Sequence, residues 1–151
     1  MKTFGVMPLF LVLVLLTACD SYPRDIEGTR DRVVATKQLR VGYGQMPADQ
    51  RALAERFVAR VASSSGAQSN PALPTGSDEA LFALLENGDL DLVMAEVASD
   101  SPWLSDMAIT EPMRRRVAGK RELGLSAVVR NGENRWIMVL EKQLRDMQAG
   151  P

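Results

Sequence analysis

Apolar positions recur along this chain at several spacings, and each spacing predicts a different element. Leu39, Val41 and Tyr43 alternate with other residues and stop at Gly44, which predicts a strand closed by a turn. Leu53, Phe57 and Val61 fall every fourth residue beside Ala54 and Val58, so 48–61 is expected as a helix with one buried stripe. Leu81, Leu84 and Leu85 line a second helix that starts at Ser77-Asp78-Glu79. There Ser77 is a cap, the two carboxylates meet the positive end of the helix dipole, and Asn87-Gly88 is the stop. Leu90 to Val97 is apolar through its middle, as a strand covered by helices on both faces would be. Leu123 to Val129 reads as a further strand, turned by Asn131-Gly132 into a helix over 133–147 whose inner face is Trp136, Ile137, Leu140, Leu144 and Met147.

Weaker patterns fill the intervals. Asp25 to Lys37 sets Ile26, Val33 and Val34 among charges, an amphipathic helix weakened by Gly28. Ser63 to Pro74 is loop-like, with room for one short strand around Ala72 and Leu73. Ser99 to Met113 carries two prolines and one short strand expected at 107–110; Arg114 to Arg121 holds five cations in eight residues. Two strands separated by a helix imply a parallel βαβ unit. The chain is therefore expected to form an α/β fold, a single three-layer lobe with a mostly parallel sheet.

Composition narrows the chemistry. The chain has 151 residues, no His and one Cys, Cys19. Those counts exclude His-bearing catalytic triads, a haem His and an internal disulfide, and they leave no metal site expected. With no Gly-x-Ser-x-Gly either, no enzyme, catalytic residue or cofactor is expected. Lys and Arg number 18 against 19 Asp and Glu, a balance that predicts no nucleic-acid partner.

The first residues carry an address. Lys2 precedes an almost wholly apolar run, Val6 to Ala18, which is shorter than the roughly 20 residues of a stable membrane-spanning helix. It reads as a secretory signal peptide over residues 1–18. Leu16-Thr17-Ala18-Cys19 resembles the bacterial lipobox, which implies acylation of Cys19 with palmitate-type chains and anchorage in the lipid bilayer. Asp20 in the next position resembles a signal for retention at the inner membrane, so the periplasmic face of that membrane is the expected location. Residues 19–24 then form a tether, and 25–151 a single domain.

From Thr36 onward the order of parts resembles the first lobe of the family 3 periplasmic solute-binding proteins, the receptors of polar amino-acid ABC transporters. The matching stretches are KQLRVGYG (37–44), GSDEALFALLENGDLDLVMAEV (76–97), DMAITEPM (106–113) and LSAVVRNGENRWIMVLEKQLRDM (125–147). Two departures accompany the match. The family inserts a second lobe before the returning strand, whereas only Arg114 to Glu122 lies there. The Thr-x-x-Arg element that forks onto a substrate carboxylate is replaced by Asp100-Ser101-Pro102-Trp103, without Arg. One lobe presents an open wall, so the resemblance implies a binding module completed by a partner: an inner-membrane transporter or receptor, or a second copy in a homodimer. A structural envelope lipoprotein is the third reading.

Ligands sit at the carboxyl ends of strands in open α/β sheets. That places the candidate edge at Gln45 and Met46 after the first strand and at Glu96, Ser99, Asp100 and Trp103 at the end of the central one. The structural alternative is that Trp103 and Met46 pack as edge-of-core residues and the carboxylates are solvated. Ser77 is either an anion-orienting group or a plain cap. The basic patch of Arg114, Arg115, Arg116, Lys120 and Arg121 either orients the domain on anionic lipid or is a solvated loop. Asp89 and Asp91, two apart on a strand, would point the same way as an acid-base pair or cap the turn before it.

Overall fold

The computed structural model describes residues 24–70 and 76–150. The signal segment, Cys19, most of the tether and the expected strand around Ala72 and Leu73 lie outside the described residues. Among the described residues four α-helices, α1 (Thr29–Thr36), α2 (Ala48–Ser64), α3 (Asp78–Glu86) and α4 (Asn134–Gln148), accompany six strands. These are β1 (Gln38–Tyr43), β2 (Gln68–Asn70), β3 (Leu92–Ala98), β4 (Met107–Ile109), β5 (Arg114–Ala118) and β6 (Arg121–Arg130).

The sheet runs β2-β1-β3-β6-β4, with β5 also paired to β6. Alternation along β3 sends Leu92 and Met94 to one face and Val93 and Ala95 to the other. The first face packs with Phe57 and Val61 of α2 and Trp136, Leu140 and Leu144 of α4. The second packs with Leu81, Phe82 and Leu85 of α3. The three-layer lobe is thus as expected, with β3 buried between its layers.

The sheet is mixed where a mostly parallel one was expected. β1 runs parallel to β2 and β3, but β6 is antiparallel to β3, β4 and β5. The reason is the connection into β6. Ala118 pairs with Arg121 across the two-residue turn Gly119-Lys120, and a turn that short reverses the chain. Gly119 has φ 64°, a left-handed conformation that costs glycine little. Arg114 to Arg121, for which a solvated loop was one of two alternatives, is consequently part of a β-hairpin, standing where the family's second lobe would be inserted. On the same edge four residues, 110–113, face only two of β6, so β4 and β5 are one strand interrupted by a bulge.

Gly28 starts α1 instead of weakening it. With φ 68° it stands at the helix N-cap without a capping side chain. The missing acceptor is supplied from far away in sequence: the buried Glu133 carboxylate accepts the Glu27 and Thr29 backbone N–H groups, both at 2.7 Å.

Asp89 and Asp91 do not form a pair. Asp89 is exposed in the turn, while Asp91 is wholly buried at the amino end of β3. The Asp91 carboxylate accepts the Arg40 backbone N–H at 2.9 Å, Arg40 Nη2 at 2.7 Å and Arg32 Nη2. Its carbonyl accepts the Trp136 indole N–H at 2.9 Å. Asp91 does not cap the turn; it ties α1, β1, β3 and α4 together.

Candidate functional site

The carboxyl end of β3 opens onto a cavity of about 290 Å³. Glu96, Asp100 and Trp103 line it together, joined by Asp78, Glu79 and Phe82 of α3 and by Arg121 and Leu123 of β6. Trp103 is half-buried and meets Phe82 edge-on, with ring centroids 5.1 Å apart. The tryptophan therefore both packs and contributes a wall.

The other candidate residues separate. Gln45 and Ser77 share a shallower cavity of about 220 Å³ with Asp78 and Glu79. Ser77 Oγ accepts the Ala80 N–H at 3.4 Å, a long bond in the capping position. Ser99 belongs to a third cavity of about 180 Å³, between Leu104, Ile109 and Pro112. Met46 is partly buried and packs against the core.

Asp78 and Glu79 went unnoticed as site residues because a helix start accounts for both. What marks Asp78 is position: it lies against the end of β1 so closely that a Cβ on Gly44 would collide with Asp78 Oδ1. Burial, then the charges of Glu79 and Glu96, push the Asp78 carboxyl above the ordinary aspartate range. Neither Asp78 nor Glu79 holds an ion pair among the described residues, so the cavity carries a negative field.

The basic patch is corrected. It is neither a loop nor an array of free cations. Arg114 pairs with Asp49 at 2.8 Å, Arg115 with Glu122 at 3.4 Å, and Arg121 approaches Asp100 at 4.0 Å. Arg116 forks onto Glu96, Nε to Oε1 and Nη2 to Oε2, each at 2.5 Å. These hydrogen bonds hold the Arg116 guanidinium above even its usual range, with the nearby charges of Glu96 and Asp49 adding to the effect. Lys120 stands exposed at the hairpin tip. Four of the five cations thus face carboxylates of the fold itself.

Two further facts bound the chemistry. Among the described residues, no group of three His, Cys, Asp or Glu is arranged to hold a metal ion, and no helix is long and apolar enough to cross a membrane.

Among solved structures, this fold is well represented. A point mutant of domain 1 of the arginine-binding protein TmArgBP, in its arginine-bound form, superposes with a TM-score of 0.66 at 14% identity, covering 80% of this chain and 98% of that one. The fold is that of one solute-binding-protein lobe. An ancestral cationic amino-acid solute-binding protein matches with a TM-score of 0.63 at 10% identity, covering 80% of this chain and 94% of that one. The L-cystine solute receptor of Neisseria gonorrhoeae, unliganded and open, matches at 0.60 and 10% identity, covering 79% and 91%. No family model and no curated protein matches the sequence. In this lobe the cavity lies at the carboxyl end of β3 and the amino end of β6, and β5 and β6 are joined by a tight turn where the sequence resemblance calls for a second lobe.

Proposed function

We propose that this chain is a lipid-anchored binding module on the periplasmic face of the inner membrane, an accessory or sensing subunit beside a transporter or receptor. It binds and does not catalyse. The observation that carries the reading is the open, negatively charged, aromatic-walled cavity at the carboxyl edge of a single solute-binding-protein lobe. An open wall buries little of a small ligand, and a partner surface is the natural completion. Anchoring through Cys19 would hold that wall at a fixed distance from the bilayer.

A second reading, an autonomous solute binder acting alone or as a homodimer, draws support from one comparison. The TmArgBP structure is of domain 1 and is described as arginine-bound, so a single lobe of this fold can hold a solute. Openness alone therefore does not forbid binding.

The test is a photocrosslinker at position 103 in the full chain, expressed in its own membrane, with Cys19→Ser as control. The expected result is a specific adduct to one membrane protein, lost together with palmitate-analogue labelling when Cys19 is replaced. Saturable amino-acid binding by the purified chain without any adduct would favour the second reading. An edge that crosslinks to nothing and binds nothing would leave a structural lipoprotein.

A further inference from the structure

The Glu96-Arg116 contact differs from the other ion pairs of the hairpin. Arg114, Arg115 and Arg121 meet carboxylates that are themselves well exposed, between half and two thirds open to solvent. Glu96 is 5% exposed at its side chain, and it takes the guanidinium in a two-bond fork. Exposed pairs contribute little, whereas a planar fork on a desolvated carboxylate is a recognition geometry.

The fork is also made over a distance. Glu96 is opposite Leu125 of β6, and Arg116 is opposite Leu123, so the pair is made diagonally across an intervening strand. Two strand spacings are about 10 Å, a gap that two long side chains bridge by meeting over β6. Nothing about the hairpin ladder demands this contact. Arg116 does not itself line the cavity; it ends at Glu96, the one well-buried carboxylate that does, and Asp78, Glu79, Asp100 and Trp103 are the other acidic and aromatic lining residues.

We propose that Glu96 is a guanidinium-recognition site and that Arg116 is its built-in occupant. The hairpin holds on the Glu96 carboxylate a group of the same chemistry as an arginine-like solute or an arginine side chain of a partner. The native lobe is then self-liganded. An external guanidinium must displace a tethered one, whose effective concentration is about millimolar or higher. This rests on the reading of the carboxyl edge as a recognition wall and specifies what that wall recognises.

The probe is methylguanidinium, titrated by NMR on the full-length chain in detergent, with the Trp103 indole signal as reporter. Arg116→Ala should bind it at least about tenfold more tightly than the native chain, because the intramolecular competitor is gone. The double variant Arg116→Ala/Glu96→Gln should lose that gain, and butylammonium, which cannot fork, should show a smaller one. If Arg116→Ala does not fold, Arg116→Met keeps the aliphatic stem and takes its place. A folded Arg116 variant that binds no better than the native chain overturns self-occupancy, as does a gain that survives loss of Glu96. The position-103 crosslink in the same variants separates the two ideas: an intact adduct with no guanidinium gain rejects self-occupancy and keeps the recognition wall, while a gain without any adduct does the reverse.

Discussion

The two ends of the central sheet use the same residue types for opposite purposes. At the amino end of β3, Asp91 is wholly buried and its carboxylate is saturated by two arginines and a backbone N–H. Beside it Glu133 is equally committed, satisfying the start of α1. At the carboxyl end, Asp78 and Glu79 have no ion pair among the described residues, and only Glu96 is tightly held, by a side chain that reaches across β6. A buried carboxylate with every partner in place is part of the frame; a half-buried one without partners is available to something outside it.

That contrast orders the expected effects of substitution. The largest belongs to the amino end. Replacing Arg32 and Arg40 together with Ala strands the Asp91 charge in the interior, and a loss of about 3–5 kcal/mol in denaturant unfolding is expected. A loss no greater than that of a surface pair would show that solvent reaches Asp91 and would erase the distinction between the ends. Next comes Glu133→Ala, which leaves the Glu27 and Thr29 N–H groups without their acceptor. About 1–3 kcal/mol is expected, with most of the loss of hydrogen-exchange protection in the first turn of α1.

The smallest effect should have the opposite sign. Because the folded-state pKa of Asp78 is raised above its unfolded value, stability falls as pH rises through the interval between the two. Asp78→Asn should therefore melt with the native chain below about pH 3, where the aspartate is protonated in both states, and melt higher at neutral pH. An equal or lower melting temperature at neutral pH would mean that the carboxyl end is stabilised by its charge, as the amino end is.

How much of this was legible in sequence depends on whether the deciding partner is near or far along the chain. The Trp136, Leu140, Leu144 stripe and the apolar middle of β3 are local patterns that only one burial satisfies, and both are buried as expected. Arg114-Arg115-Arg116 reads as solvated by any local measure. Its strand character comes from pairing with β6, and its charge is answered by Asp49, Glu122 and Glu96, which lie from 7 to 65 residues away. The same holds for Asp91, whose arginines are 51 and 59 residues distant. Of the candidate edge, Glu96, Asp100 and Trp103 converge because one strand end carries them all. Asp78 was hidden because its role at the helix start masks its approach to Gly44.

The two-residue turn at Gly119-Lys120 has a consequence for engineering. Ala118 and Arg121 are held as direct neighbours by the ladder beneath them, so the chain can be opened between Gly119 and Lys120 without disturbing a single core contact. Lengthening a loop costs only about 0.6 kcal/mol per doubling, and folded domains commonly carry their termini close together. A fluorescent reporter spliced in at this turn would sit beside Arg121 at the rim of the cleft, mechanically coupled through β5 to the Glu96 wall.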